Sequence, residues 1–277
     1  MPSMPSPLPP VPAVAPSCAV AVLADGPANA VDGVWPDRVL TRVTRGELWS
    51  FPHPAPRAQA LVYAGGGYTS LMLDKEGVEV ALWLATLGVE AHVVVHRLPG
   101  QPGAAGPLPA DVALTDALAA CACLARHRPT LPLVHVGLSS GGHLAGTLAC
   151  QTVPLAVAGA ILAYGPLNAN HRVHKVPPGK PDYPPPEKQA FYDAWPIGLA
   201  EHPHGLPKVP LFLAYALADR AVPVEHALRL IRWAADVGHD LDAHVFGRAP
   251  HGFALRDRAG SHALWPDLAA DWLDRHL

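Results

Sequence analysis

The stretch that most restricts how this chain can fold is Leu131 to Cys150, LPLVHVGLSSGGHLAGTLAC. Leu131 to Val136 is a short apolar run with β-branched Val134 and Val136, which predicts a buried strand. Gly137 to Gly142 is a corner of small residues. His143 to Cys150, rich in Ala and Leu, predicts a helix. A strand that turns sharply into a helix around G-x-S-x-G is the setting in which a serine hydroxyl is lifted clear of a sheet. Here the five residues are Gly137, Leu138, Ser139, Ser140 and Gly141. The flanking glycines matter because a Cβ at either flank would collide in so crowded a turn. Two serines compete for the role. Ser139 has glycine two residues before and two after, whereas Ser140 has Leu138 before it, so Ser139 is the candidate nucleophile.

The rest of the chain supplies a sheet for that elbow. Ala58 to Ala64, Val89 to Val95, Ala156 to Tyr164, Val209 to Ala216 and Ala243 to Phe246 read as strands. Leu73 to Leu87, Ala110 to Arg126, Val224 to Val237 and Ala263 to His276 read as helices. In the first of these helices Val78, Ala81, Leu82 and Leu84 are spaced for one buried face. Strands alternating with helices predict an α/β domain with a mostly parallel twisted sheet covered by helices on both faces. With 277 residues, half of them hydrophobic, the chain can build one large core. Arg38 to Phe51 reads as one or two edge strands.

Proline punctuates this pattern. There are 33, more than twice the usual share of roughly 5 %. They gather at the N-terminus, at Pro99 to Pro109 and at Pro177 to Pro186. Residues 1–35 are therefore expected to form a loosely structured proline-rich arm, with the domain running over 36–277. Residues 168–206 form an insertion without clear periodicity, expected to be a short cap on the carboxyl edge of the sheet, where ligands bind in such folds.

Several function classes drop out. A net charge of −3 with no basic stripe argues against a nucleic-acid partner. The N-terminus carries no early Lys or Arg and is broken by prolines, a poor signal peptide. No window approaches the ~18 apolar residues of a membrane span. A cytoplasmic protein with no membrane partner is the expectation. Cys18, Cys121, Cys123 and Cys150 have no metal-ligand spacing and read as small buried hydrophobes. The close pairs His171/His174 and His202/His204 read as exposed loop histidines, so no metal is expected.

A serine hydroxyl needs a base, and the base needs an orienting acid. Asp219 follows the strand ending at Ala216 and precedes the helix opened by Ala221, Val222 and Pro223. The competing role for it is capping that helix. Glu225 and Asp236, inside the helix, are worse placed. His251 sits in the loop APHGF (249–253) after the last strand. It is singled out from 16 histidines by that loop and by its order after Ser139 and Asp219, most of the others being expected on the solvated surface. Gly65, Gly66 and Gly67 follow a strand, where backbone N–H groups can be aimed at a developing oxyanion. Gly66, Gly67 and the N–H of Ser140 are the expected donors. A phosphate loop is disfavoured, since the Lys and Ser/Thr of G-x-x-x-x-G-K-[ST] are absent. Tyr68, with Tyr183, Phe191, Tyr192 and Trp195 of the insertion, could wall a substrate pocket or form the core of the cap.

These pieces carry a resemblance: AGGGY (64–68), EG followed by WL..LG (76–88), HRL (96–98), GLSSGGHLAG (137–146), ADRAVP (218–223) and APHGF (249–253). From about Ala60 to the C-terminus the chain resembles α/β-hydrolase-fold carboxylesterases of the acetyl-xylan-esterase and hormone-sensitive-lipase-like kind. The resemblance implies the α/β-hydrolase fold and hydrolysis of a small-molecule ester through an acyl-enzyme, without metal or organic cofactor. It carries Ser139, Asp219 and His251 over as nucleophile, acid and base. The chain departs from these relatives at Ala64, where hormone-sensitive-lipase relatives carry His, at His96, commonly Tyr, and at Ser140, commonly Ala. The expected activity is a serine carboxylesterase for short acyl esters, acetyl esters of sugars or xylo-oligosaccharides among them. A peptidase or amidase on the same triad is the alternative. A non-catalytic binding protein fits less well, because all three triad residues are present.

Overall fold

The computed structural model of the protein describes residues 8, 10–168 and 184–277. Its centre is an eight-stranded sheet. The strands are β1 (Ala19–Ala24), β4 (Gly46–Phe51), β5 (Ala58–Tyr63), β6 (Val89–Val95), β9 (Leu133–Leu138), β10 (Val157–Ala163), β11 (Leu211–Ala216) and β12 (Leu241–Phe246), in the order β1-β4-β6-β5-β9-β10-β11-β12. Within this sheet β6, β5, β9, β10, β11 and β12 are parallel, while β4 pairs antiparallel with β6 and β1 antiparallel with β4 at one side. β2 (Ala30–Asp32) with β3 (Val39–Arg42), and β7 (Pro102–Gly103) with β8 (Gly106–Pro107), form separate two-stranded ribbons.

The helices are α1 (Glu79–Thr86), α2 (Val112–His127), α3 (Ser140–Ala149), α4 (Pro186–Ala194), α5 (Glu225–Val237) and α6 (Trp265–His276). Every residue of β5, β6, β9 and β11 is buried. That is why these strands read as continuous apolar runs and not as alternation. Alternate side chains still divide between two cores. Val62, Val93, Val136 and Phe212 face α1 and α6 on one side. Leu61, Val94, Leu133 and Leu213 face α2, α3 and α5 on the other.

Four expectations need correction. The stretch 1–35 is not all arm: β1 pairs with β4 at the sheet edge, its Val20 and Val22 half exposed. Proline density around it hid the alternation of Val20 and Val22 with alanine. β4 is no edge strand, since it lies between β1 and β6. The insertion contains a helix, α4, opened by Pro186 at its first turn. Its residues 169–183, with Tyr183, His171 and His174, lie outside the described residues. The helix expected from Leu73 begins as a π-helical turn, Leu73–Val78, before α1 continues it. Among the described residues no helix is long and apolar enough to cross a membrane.

Candidate active site

Sterics make the elbow. β9 ends at Leu138, and Ser139 turns into α3 with φ 53° and ψ −125°. That is a sparsely populated region for a residue with a Cβ, and it is held only because the surroundings over-determine it. The Ser139 N–H donates to Ala163 O of β10 at 2.9 Å, and Ser139 O accepts from Gly142 N–H at 2.9 Å. A Cβ on Gly137 would overlap the carbonyl of Gly141, and a Cβ on Gly141 would overlap the carbonyl of Tyr63 in β5. Both obstacles are backbone, so neither can move aside. Gly141→Ala should cost about 3 kcal/mol, the upper end of overpacking, and lower Tm by roughly 6–10 °C. A thermal melt within a degree of the parent would show that the elbow can relax.

The three expected residues meet. Ser139 Oγ lies 3.0 Å from His251 Nε2, and His251 Nδ1 lies 2.7 Å from Asp219 Oδ2. A carboxylate only accepts, so Nδ1 carries the proton and Nε2 accepts the Ser139 hydroxyl. The other oxygen, Asp219 Oδ1, accepts the N–H groups of Ala221 and Val222, each at 2.8 Å. Asp219 therefore does both jobs weighed from the sequence: one oxygen ties the turn before α5, and the other faces the imidazole. Its side chain is fully buried, while that of His251 is a quarter exposed.

The glycine loop stands beside the serine. Gly66, Gly67 and Tyr68 have φ values of 136°, 62° and 56°. Gly66 O accepts from Thr69 and Ser70, and Gly65 O from Met72. The N–H groups of Gly66, Gly67 and Ser140 make no hydrogen bond among the described residues. Gly66 and Gly67 line the same cavity as Ser139. Ser140 N–H opens α3, whose dipole adds positive potential there. These are conditions for holding an oxyanion.

That cavity, about 380 Å³, is lined by Ser139, His251, Gly252, Met72, Val222 and Pro166 among others. Of the described residues expected to wall it, Tyr192 of α4 does so. Tyr68 and Phe191 lie behind it, fully buried, as a cap core. Tyr68 packs edge-on against Phe191 and Tyr192, each at 5.3 Å between ring centres. His143 Nε2–H donates to Trp195 O at 2.8 Å, so its Nδ1 accepts from the Tyr68 hydroxyl at 3.1 Å. Trp195 thus reaches the body through its carbonyl, while its ring packs on His204. A larger, shallower hollow of about 650 Å³ runs along α5 between Leu199 and Leu228, and no triad residue lines it.

Three cavity neighbours were not foreseen. Lys188 of α4 and Lys75 both face it. Glu76, almost wholly buried, lines it too, taking the Gly65 N–H at 2.9 Å and the Tyr164 hydroxyl at 3.2 Å. Burial pushes its carboxyl above the ordinary value, against the opposing pull of His251, the Gly65 N–H, Lys75 and Tyr164. Its only trace in the sequence was membership in the EG of 76–77.

No family model and no curated protein matches the chain significantly in sequence. Solved structures do match in three dimensions. The acetyl ester-xyloside bifunctional hydrolase of Caldicellulosiruptor lactoaceticus is 20 % identical over 95 % of this chain and 98 % of its own, with a TM-score of 0.67. MGS-M1, an alpha/beta hydrolase from a Medee basin deep-sea metagenome, is 18 % identical over 94 % and 98 %, with a TM-score of 0.64. Est2 of the planctomycete Thermogutta terrifontis, a thermophilic esterase with butyrate bound, is 19 % identical over 90 % and 94 %, with a TM-score of 0.62. The chain has the α/β-hydrolase fold, as the sequence predicted.

Proposed function

We propose that the protein is a serine carboxylesterase acting on short-chain acyl esters, acetyl esters of sugars and xylo-oligosaccharides among them. The observation that carries this is the unbroken line Asp219–His251–Ser139, at 2.7 and 3.0 Å, opening on a cavity beside the N–H groups of Gly66 and Gly67. Ser139 Oγ attacks the ester carbonyl as His251 Nε2 takes its proton. Asp219 holds the Nδ1–H tautomer and stabilises the imidazolium. The N–H groups of Gly66, Gly67 and Ser140 receive the oxyanion. His251 then protonates the leaving alcohol and activates the water that releases the acid.

The size of the cavity and its closure by Tyr192 and Lys188 of α4 support small acyl groups. So do the butyrate held by one structural neighbour and the acetyl esters in the name of another. The test has two parts. A fluorophosphonate should label the protein, with the adduct mapped by mass spectrometry to the peptide carrying Ser139. A p-nitrophenyl ester series, run beside acetylated xylo-oligosaccharides, should peak at the short chains, with almost no cleavage of a matched anilide. Absence of both label and turnover would sink the reading. Anilide cleavage at a comparable rate would move it to the amidase.

A further inference from the structure

The carboxylate of Glu76 belongs to neither the triad nor the oxyanion donors, yet it touches the loops that carry both. Its Oε2 accepts the N–H of Gly65, the residue before the two donor glycines, and its Oε1 accepts the Tyr164 hydroxyl. A Cβ on Gly65 would overlap both the Glu76 carboxylate and the Ser139 Cβ. The loop is therefore pressed between Glu76 and the elbow. Tyr164 extends the link. Its hydroxyl accepts the Ala254 N–H at 3.2 Å, and its ring stands edge-on to the His251 ring at 5.2 Å between centres. Ala254 is held from its other side by Trp265, whose indole N–H donates to Ala254 O at 2.6 Å. Tyr164 and Ala254 both have positive φ, 38° and 43°. Backbone held in that region marks places where surrounding contacts fix the chain against its preference.

We propose that Glu76 is a positioning residue of the reaction: one buried carboxylate fixes the glycine loop bearing the oxyanion donors and, through Tyr164, the loop bearing His251. The proposal rests on the serine-esterase reading above. The two loops come from opposite ends of the chain, and Glu76 is the shared acceptor that gives them one geometry. The charged and titratable groups facing this carboxylate are Lys75 from its own turn, Tyr164 after β10, and His251 with Asp219 behind it. Lys188 faces the same cavity from α4. Burial pushes the Tyr164 hydroxyl well above its ordinary value, so it stays a donor to Glu76.

Holding this charge out of water weighs against the fold. The folded carboxyl sits above its unfolded value. Its favourable contribution is thus present below the ordinary carboxylate pKa of about 4.3 and is lost as pH rises through the folded value. Glu76→Gln is then expected to leave Tm at neutral pH unchanged or raised, with the advantage over the parent vanishing in acid.

Activity should move the other way. In the glutamine the amide oxygen can keep the Gly65 N–H, but its NH₂ then faces the Tyr164 hydroxyl, which must turn from donor to acceptor while it already accepts the Ala254 N–H, so the charge-assisted hold on the His251 loop is lost. A shift of reacting groups by 1 Å can cost about a hundredfold, so Glu76→Gln should lower kcat for p-nitrophenyl acetate by roughly ten- to a hundredfold with KM nearly unchanged. Tyr164→Phe keeps the carboxylate and removes the bridge, and should lower kcat by roughly fivefold, the order of one hydrogen bond.

A Glu76→Gln enzyme with the parent's kcat overturns the proposal, and a lower Tm beside that intact kcat is the signature of a merely structural glutamate. If Glu76→Gln does not fold, an unchanged kcat in Tyr164→Phe overturns it. Phosphonate labelling of the parent separates the two layers. An unlabelled, inactive parent removes the serine reading and this proposal together, whereas a labelled parent with unaffected variants removes the proposal alone.

Discussion

Ser139→Ala is expected to lower kcat for p-nitrophenyl acetate by about six orders of magnitude, to abolish fluorophosphonate labelling, and to leave a folded protein. The size follows from there being, among the described residues, no second nucleophile in hydrogen-bond reach of the base. His251 Nε2 faces Ser139 Oγ at 3.0 Å, while Ser140 is buried at the start of α3. What survives would be water attack within the glycine N–H groups, worth about 10³–10⁴ over solution in enzymes of this kind. Ser139→Gly separates chemistry from strain. It removes the same hydroxyl but also the Cβ that makes φ 53° unfavourable. Strain at such a position is worth about 1–3 kcal/mol, and glycine gives back roughly 0.5–1 kcal/mol in chain entropy. The Gly variant should therefore melt above the Ala variant by the equivalent of about 1 kcal/mol, with both equally inactive. Turnover retained by Ser139→Ala would place the nucleophile elsewhere; equal melting of the pair would mean the elbow holds no strain.

What could be read from the chain was what is local. A strand, a glycine corner and a helix are contiguous, so the elbow and its two flanking glycines were visible before any fold was known. Asp219 and His251 were visible because each lies in the loop just past a parallel strand, and such loops share one edge of the sheet. The 16 histidines show the limit of residue type as a signal. Most were expected on the surface, yet His92, His96, His135, His143, His226 and His262 are buried. His135 sits mid-strand in β9 against the Tyr63 hydroxyl, and burial pushes it down to about 3. Burial likewise pushes His92 down to about 4. His135 meets Tyr63, 72 residues back, and His92 meets Ser50, 42 residues back.

The same distance hid Glu76, whose partners are Gly65, 11 residues back, and Tyr164, 88 residues on. It left Tyr68 undecided as well. An aromatic after a glycine loop can be pocket wall or cap core, and only the contacts with His143, Phe191 and Tyr192 turn it inward to seat the cap. Helix α4 then brings Tyr192 and Lys188 over Ser139. On the proposed reading, the machinery of cleavage comes from loops whose order the sequence displays, and the walls that choose a substrate come from a cap whose seat depends on pairings the sequence does not.

Asp219→Asn is expected to cost about 10⁴ in kcat with the fold unchanged, and the reason lies in which oxygen is already committed. Oδ1 accepts two backbone N–H groups, from Ala221 and Val222. An amide nitrogen cannot take that place without facing two donors, so the asparagine must keep its oxygen there and turn its NH₂ toward His251. Facing a donor, Nδ1 must become the acceptor. The proton then resides on Nε2, and Nε2 can no longer take the proton of Ser139. The variant should be slow in acylation, measured as a fall in the fluorophosphonate labelling rate as well as in kcat, while the turn before α5, and hence Tm, is preserved. Asp219→Ala lacks the turn bonds too and should melt lower. If Asp219→Asn retained activity within tenfold of the parent, the orienting role would pass to another carboxylate. Glu76 is the buried carboxylate that shares the cavity with His251, so the double variant Asp219→Asn/Glu76→Gln would then have to lose what the single variant kept.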